Sequence, residues 1–208
     1  MIDYLKNPQD IYRRSFEMIA AEADFSMLPA SAHAIATRVI HACGMVEITS
    51  DLVITPDFAD VTKSAIAAGK PILVDVEMVR HGIIARFLPE TCKIICTLND
   101  PRARELGLTT STTRTAAATS LWREHLDGAV VVIGNAPTAL FALLEMIDAG
   151  APKPAAIVGM PVGFVGAAES KAELVANPRG IPFATIKGRK GGSAMASSVI
   201  NALTDVAQ

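Results

Sequence analysis

The chain has 208 residues, a length that suits one α/β domain with a sizeable buried core, and we expect residues 1–208 to form a single domain. Half of the residues are hydrophobic but only 5% are aromatic, so small aliphatic side chains dominate, as they do where helices pack on a parallel sheet. The net charge of −2 and the pI near 6.1 argue against nonspecific nucleic-acid binding, because such binding needs a basic surface.

The cysteines and the apolar stretches bear on the cellular compartment. The sequence opens without the long apolar core of a secretory signal, and it carries an odd number of cysteines, namely Cys43, Cys92 and Cys96. These features predict a cytoplasmic protein with free thiols that pack as small core residues. The most apolar stretch, 129–147, is broken by Asn135, Pro137 and Glu145, so it is interpreted as strand, turn and buried helix rather than as a membrane span.

Two helices are predicted at the start of the chain. Asn7 is a suitable cap and Pro8 suits the first helical position. The helix that follows has one stripe at four-residue spacing, formed by Ile11, Ser15 and Ile19. A second helix is predicted after Pro29, with its end near Gly44.

Beyond residue 50, short β-branched runs alternate with helical stretches. The predicted strands are 52–54, 72–74, 94–96, 130–133, 156–158 and 183–186. The predicted helices are 57–68, 112–126, 137–148, 170–176 and 193–206. Continuous apolar strands between helices imply a mostly parallel sheet covered on both faces. With right-handed crossovers, this pattern predicts a three-layer α/β/α sandwich preceded by two N-terminal helices.

Polar and glycine-rich segments follow several predicted strands. Asp75, Asn135, Gly159 and Gly188 each stand at or just after the end of a β-branched run. Ligands of open parallel sheets bind beyond the carboxyl ends of the strands, and glycine lets backbone N–H donors approach a ligand. We therefore expect these four positions to form one ligand edge that is suited to a molecule with many acceptor groups.

Three polar side chains lie on the two N-terminal helices. His41 stands near the end of the second helix, where an imidazole can either satisfy terminal carbonyl groups or act in catalysis. Arg38 lies three residues earlier on the same side, as a solvated arginine or as a bidentate partner for carboxylates. Ser15 interrupts an apolar stripe, and its hydroxyl can bond to its own helix or to a ligand.

Three other polar segments permit more than one interpretation. Arg114 opens a predicted helix among hydroxyl side chains, which suits either carboxylate binding or simple capping. Asp75, Glu77 and His81 have side chains that can bind metals, but their spacing matches no metal motif, so we assign them supporting roles. The segment 188–193 lacks the spacing of a nucleotide-binding phosphate loop and is either a generic anion nest or a plain turn.

Three motifs in order resemble a single family. They are Arg38–Met45, Val132–Leu140 and Gly159–Lys171, and the similarity extends from Tyr12–Phe16 to Gly188–Ser193. These segments are similar to those of precorrin-8X methylmutases, which are isomerases of cobalamin biosynthesis. The resemblance implies conversion of precorrin-8X to hydrogenobyrinic acid by a suprafacial 1,5-sigmatropic shift of a methyl group from C11 to C12 of the corrin ring. It implies no cofactor and no metal.

The resemblance also implies roles for residues and partners. His41 falls on the catalytic histidine, a general acid and base, and Ser15 and Arg38 fall on substrate contacts. Arg114 and Asn135 are predicted to bind the same corrinoid. A homodimer is expected, with hand-over to other enzymes of the pathway and with no nucleic-acid or membrane partner. The alternatives are a cobalt-precorrin-8 methylmutase, a corrinoid carrier, and a nucleotide- or phosphate-dependent transferase, for which the sequence lacks the phosphate-binding spacing.

Overall fold

The computed structural model describes residue 2 and residues 4–204, in which helices and strands alternate. The helices are α1 (Pro8–Glu22), α2 (His33–Cys43), α3 (Phe58–Ala67), α4 (Glu77–Gly82), α5 (Pro101–Thr109), α6 (Arg114–Ser120), α7 (Pro137–Asp148), α8 (Ala167–Ala176) and α9 (Ser193–Thr204). The strands are β1 (Leu52–Ile54), β2 (Ile72–Val74), β3 (Ile94–Cys96), β4 (Val130–Ile133), β5 (Ala156–Gly159) and β6 (Phe183–Ile186). Within the described residues, no helix is both long and apolar enough to cross a membrane.

The ends of α1 and α2 are set by local signals in the sequence. The Asn7 side chain accepts hydrogen bonds from the backbone of Gln9 and Asp10, and Pro8 fills the first helical position of α1. Helix α2 ends at Gly44, which adopts a left-handed conformation with φ of 71° and donates its N–H to Ile40. This glycine stops the helix three residues after His41 and so fixes where that side chain leaves the helix.

The six strands form one mostly parallel sheet in the order β1-β6-β5-β4-β2-β3. Strands β6, β5, β4, β2 and β3 are mutually parallel, whereas β1 at one edge runs antiparallel to β6, with Leu52 opposite Ile186. All six predicted strands are present, and only the end of β5 differs, by one residue. The prediction of a mostly parallel sheet is confirmed.

Apolar side chains cover both faces of the sheet. Along β4, Val130 and Val132 belong to one buried cluster while Val131 and Ile133 belong to the other, as the alternation of a strand requires. The first cluster includes side chains of α2, α3, α4 and α9, and the second includes side chains of α7 and α8, with α6 packed against α7. The three-layer α/β/α architecture is therefore confirmed, with α1 packed against α2 on the outside.

Several helices differ from the prediction. Helices α4 and α5 were not predicted, and α8 begins three residues earlier than expected. The predicted helix 112–126 divides into α6 and a 3-10 segment, Leu121–His125, where the Ser120 hydroxyl donates to the Ala117 carbonyl at 2.7 Å and competes with the backbone ladder. The last residues of the predicted helix 193–206 lie outside the described part of the chain.

The three cysteines are free thiols. Cys92 is buried in the first apolar cluster, and Cys43 and Cys96 are half-buried against it. Burial raises the pKa of all three thiols, that of Cys96 to about 11, so they remain protonated at neutral pH. They pack as small core residues, as the sequence indicated.

Candidate active site

The carboxyl ends of four neighbouring parallel strands meet at one edge of the sheet. Because β2, β4, β5 and β6 run in the same direction, Asp75, Asn135, Gly159 and Gly188 all lie at or just beyond this edge. The four positions that the sequence assigned to a common ligand edge are thus brought together.

Asp75 organises the centre of this edge. Its buried carboxylate accepts hydrogen bonds from the backbone N–H groups of Gly134, Asn135 and Ala136 at 3.0, 2.9 and 2.8 Å. Burial raises the pKa of Asp75, and the three N–H donors oppose that shift because they favour the ionised form. The carboxylate therefore holds the β4–α7 turn, which carries Asn135.

The neighbouring polar residues of α4 are occupied locally. The Glu77 carboxylate accepts a hydrogen bond from Arg80 Nε at 2.5 Å, and Arg80 lowers the pKa of Glu77. His81 Nδ1 lies 2.8 Å from the Glu77 carbonyl oxygen. Among the described residues, no group of three or more potential metal ligands is close enough to hold an ion.

A cavity of about 220 Å³ lies between α1 and α2, with His41 on its wall. The lining residues come from α1, from the end of α2 and from the segment after it: Ser15, Met18, Ile19, Glu22, Ile40, His41, Gly44 and Val46. The fold thus brings Ser15 and His41 into one cavity. The Ser15 hydroxyl donates to the Ile11 carbonyl at 2.9 Å, which leaves its oxygen able to accept a hydrogen bond.

Two aromatic rings of α1 flank the ionisable groups of α2. The rings of Tyr12 and Phe16 each lie 5.4 Å from the His41 imidazole, measured between centroids. The Arg38 guanidinium stands 5.2 Å from the Tyr12 ring and 5.4 Å from the Phe16 ring, within cation–π distance. The imidazole and the guanidinium therefore both lie on the side of α2 that faces α1.

The surroundings of His41 make its protonated form a stronger acid. Partial burial of the ring is the main cause of a lowered pKa, and the positive charge of Arg38 adds to it. The unbound protein therefore holds His41 mostly neutral at pH 7. An anionic ligand beside the ring would raise the pKa again by compensating the charge of Arg38.

The end of α2 also adjoins the glycine-rich loop at the carboxyl end of β6. The charge of Lys190 is close enough to act on the Cys43 thiol, whose pKa it lowers against the larger effect of burial. Lys190 itself forms a 3.1 Å ion pair with Asp51, just before β1. The segment Val46–Ser50 begins on the wall of the His41 cavity and leads directly to Asp51, so the cavity and this part of the ligand edge are connected through one short segment.

Arg114 and Asn135 occupy the edge above the other layer of helices. Arg114 is exposed at the start of α6, where the cap hydroxyl of Thr113 is 2.8 Å from the Thr138 hydroxyl in the first turn of α7. Asn135 is half-buried directly before α7. Within the described residues, no hydrogen bond or ring contact joins Arg114 to His41. The structure therefore places Arg114 and Asn135 at the edge of the sheet but not in the His41 cavity.

Three residues of this region received no role from the sequence. Tyr12 and Phe16 stand four residues apart, which places both rings on one face of α1, and that spacing was a visible signal. Lys171 is fully buried in α8. Its signal was its place on a stripe at helical spacing, four residues after Ala167 and three before Leu174, both of which are apolar.

A mostly parallel α/β sheet, with a cavity near the carboxyl ends of its strands and a titratable imidazole on the cavity wall, is an arrangement that many enzymes use. Residues 10–206 match the family model of precorrin-8X methylmutase. The chain belongs to this family of isomerases.

Curated relatives agree with this assignment. The chain is 54% identical over 203 residues to the precorrin-8X methylmutase of Pseudomonas aeruginosa, with 98% of both chains covered. It is 54% identical to the precorrin-8X methylmutase of Sinorhizobium sp, covering 97% of this chain and 96% of the relative. It is 36% identical to the cobalt-precorrin-8 methylmutase of Priestia megaterium, covering 96% of this chain and 88% of the relative.

A solved structure has the same fold. The precorrin-8X methylmutase of Thermus thermophilus superposes with a TM-score of 0.84 at 34% identity, and the match covers 94% of each chain. The alternative of a nucleotide- or phosphate-dependent transferase is therefore set aside.

Proposed function

We propose that the protein converts precorrin-8X to hydrogenobyrinic acid by moving a methyl group from C11 to C12 of the corrin ring. The observation that carries this proposal is the 54% identity, over almost the full length of both chains, with curated precorrin-8X methylmutases. His41, Arg38 and Ser15 lie near one another at α1 and α2, and they supply the proposed reaction with an acid and with two groups that can bind carboxylates.

The second candidate substrate is cobalt-precorrin-8. Relatives named cobalt-precorrin-8 methylmutase are 36% identical to this chain in Priestia megaterium and 35% in Salmonella typhimurium, well below 54%. This difference favours the metal-free substrate. The second substrate contains a central cobalt ion and the first contains none, but both require the same methyl migration.

In the proposed mechanism, His41 lends a proton to the corrin ring and then recovers it. Protonation of a ring nitrogen withdraws electron density from the conjugated system and favours the shift, in which the methyl group leaves C11 and bonds to C12 of the same molecule. The lowered pKa of His41 makes the imidazolium a better proton donor. After the shift, the ring nitrogen returns its proton to His41, so the enzyme ends in its starting state.

Cations and hydrogen-bonding groups are proposed to bind the acid side chains of the corrinoid. Arg38 offers a planar guanidinium beside His41, and the Ser15 oxygen lines the same cavity. Arg114 and Asn135 lie farther along the ligand edge, where a ligand as broad as a corrinoid can reach them. Arg114 is also at a helix start, which favours a carboxylate.

The size of the cavity supports a homodimer. A cavity of about 220 Å³ is small for a tetrapyrrole with many acid side chains, since ligand pockets are commonly about 300–1,000 Å³. We propose that a second copy of the chain covers the part of the corrinoid that extends beyond α1 and α2. Sedimentation of the purified protein with and without corrinoid tests this, and a monomer in both conditions would contradict it.

Four further expectations accompany the proposal. Residues 1–208 are proposed to act as a single domain without a bound cofactor, in the cytoplasm, where the free thiols would stay reduced. The protein is proposed to pass its product to the next enzyme of the pathway. A carrier that binds the corrinoid without converting it remains the alternative, because tight binding also suits hand-over.

The deciding experiment is a visible spectrum of the purified protein with precorrin-8X, because the methyl shift changes the chromophore. Conversion of the spectrum to that of hydrogenobyrinic acid supports the proposal. A spectrum that shifts on binding but then remains constant would identify a carrier. Parallel reactions with cobalt-precorrin-8, at equal protein concentration, compare the two substrates.

A further inference from the structure

Lys171 is a buried charge beside the ligand edge. Its side chain exposes 0% of its surface, because α8 turns it inward together with the apolar side chains of its stripe. Burying an ammonium group is costly unless the group is well bonded, and an apolar side chain of similar size often stabilises such a position more. The presence of a lysine here therefore calls for a reason other than stability.

The Lys171 ammonium reaches the backbone of the glycine-rich loop. Its Nζ donates to the carbonyl oxygen of Lys190 at 2.5 Å. Burial lowers the pKa of Lys171 to about 8, against the opposing effect of Asp51, so the group is still mostly charged at pH 7. The side chain of Lys190 is held in turn by Asp51. Lys171 and Asp51 thus fix the same loop residue, one by its backbone and the other by its side chain.

We define the cationic loop as residues 187–192, which follow β6. It is paired with the segment after β5: Gly192 donates to the Met160 carbonyl at 2.9 Å, and Gly163 donates to the Arg189 carbonyl at 3.3 Å. The loop exposes two cations, Lys187 and Arg189. The Arg189 guanidinium stands 5.2 Å from the Phe164 ring.

We propose that Lys171 is a positioning residue for substrate binding, which holds the Lys190 carbonyl inward so that Lys187 and Arg189 face the acid groups of the ligand. This inference rests on the proposed function, because it assumes an acidic substrate at this edge. Lys171 touches the loop backbone and acts through it. The role predicts an effect on affinity and little effect on the chemical step, since uniform binding contacts change KM rather than kcat.

The test compares three variants of the full-length protein. Lys171→Met keeps the side-chain volume but removes the donor, and Lys171→Gln keeps a neutral N–H donor. The matched control is Lys153→Met, because Lys153 Nζ also donates to a backbone carbonyl, that of Arg179 at 2.6 Å, but at the amino ends of β5 and β6. Steady-state turnover of precorrin-8X is followed by its spectrum, and hydrogen exchange is measured for the amides of residues 187–192.

The proposal expects Lys171→Met to raise KM about tenfold with kcat within about threefold of the wild type, as loss of a charged hydrogen bond suggests. Lys171→Gln should recover part of the affinity, and the Lys153→Met control should behave as the wild type. Exchange at residues 187–192 should be fastest in Lys171→Met. An unchanged KM with unchanged exchange, or a fall in kcat that matches the rise in KM, would overturn the proposal.

The two measurements separate this inference from the proposed function. Hydrogen exchange requires no substrate, so it reports on the loop even if precorrin-8X is bound without conversion. If the wild type does not turn over precorrin-8X, the proposed function fails, and unchanged exchange in Lys171→Met would then overturn the positioning role on its own. If Lys171→Met does not fold, the test rests on Lys171→Gln. We then expect a raised KM in Lys171→Gln, with amide exchange at residues 187–192 that is slower than in an unfolded loop. Wild-type values of both KM and exchange would overturn the role.

Discussion

Removing the Asp75 carboxylate should destabilise the protein by about 2–4 kcal/mol. In Asp75→Ala, the N–H groups of Gly134 and Ala136 stay buried without an acceptor, whereas Asn135 is only half-buried and water can reach it. Each buried donor left without a partner costs about 1–3 kcal/mol, and removal of a desolvated charge offsets part of the sum. Such a loss is large against a total stability of about 5–15 kcal/mol.

The free energy of unfolding of Asp75→Asn should lie between those of the wild type and Asp75→Ala. Oδ2 of Asp75 accepts from Asn135 and Ala136, and Oδ1 accepts from Gly134. An amide oxygen at the Oδ2 position keeps two of the three bonds, but the NH₂ group then meets the Gly134 N–H, donor against donor. The loss should therefore be about half of that in Asp75→Ala.

Urea unfolding followed by circular dichroism measures these losses. With a slope of about 1–3 kcal/mol per M, the midpoint of Asp75→Ala should fall by about 1–2 M. Asp148→Ala is the matched control, since Asp148 also accepts from N–H donors, those of Arg179, but on the exposed surface. A midpoint for Asp75→Ala equal to that of the wild type, or a fall no larger than in the control, would refute the reasoning.

Four further predictions concern the site and its loop. His41→Ala should fold and bind the corrinoid but lose roughly 100- to 10,000-fold in methyl migration; spectra at equal occupancy test this, and comparable turnover would remove His41 as the acid. Arg38→Ala should weaken substrate affinity more than kcat, and unchanged affinity in a titration would contradict this. Because kcat/KM requires protonated His41, kcat/KM should fall as the pH rises through a midpoint below 6.5. Loss of the Arg38 charge should move that midpoint upward. An unchanged midpoint would argue against an effect of the Arg38 charge on the pKa of His41. Gly191→Ala should lower the melting temperature, since a methyl group there would overlap the Met160 carbonyl oxygen, and an unchanged temperature would show that the loop can yield.

The strands could be predicted from sequence because their signals are local. Runs such as Val130–Ile133 are short, β-branched and bounded by polar or glycine residues, and the structure contains them with nearly the same bounds. The antiparallel pairing of Leu52 with Ile186 could not be predicted, because it depends on segments from distant parts of the chain. The sequence contains start signals for helix α5, since Asp100 caps the helix and Pro101 follows. The helix was not predicted because it has too few apolar residues to form a clear apolar stripe.

The candidate site was predicted in part. The ligand edge followed from the positions of Asp75 and its counterparts after parallel strands, a rule that needs no strand order. The roles assigned to His41, Ser15 and Arg38 came from the family resemblance and remain predictions. Helical spacing shows that Tyr12 shares a face of α1 with Phe16 and that Lys171 shares a face of α8 with Leu174. It does not show that the first face meets His41 or that the second is buried, because both depend on packing between helices.

The antiparallel strand β1 affects how much of the fold can form while the chain is still being synthesised. Helices α1 and α2 leave the ribosome early, yet they join the sheet through β1, whose partner β6 is the last strand to be synthesised, and α2 packs on α9, which follows β6. Contacts between such distant segments form late in folding. A nascent chain that already contains Arg38 and His41 therefore lacks the loop cations Lys187 and Arg189 until synthesis is nearly complete, so the whole ligand edge can assemble only in the finished protein.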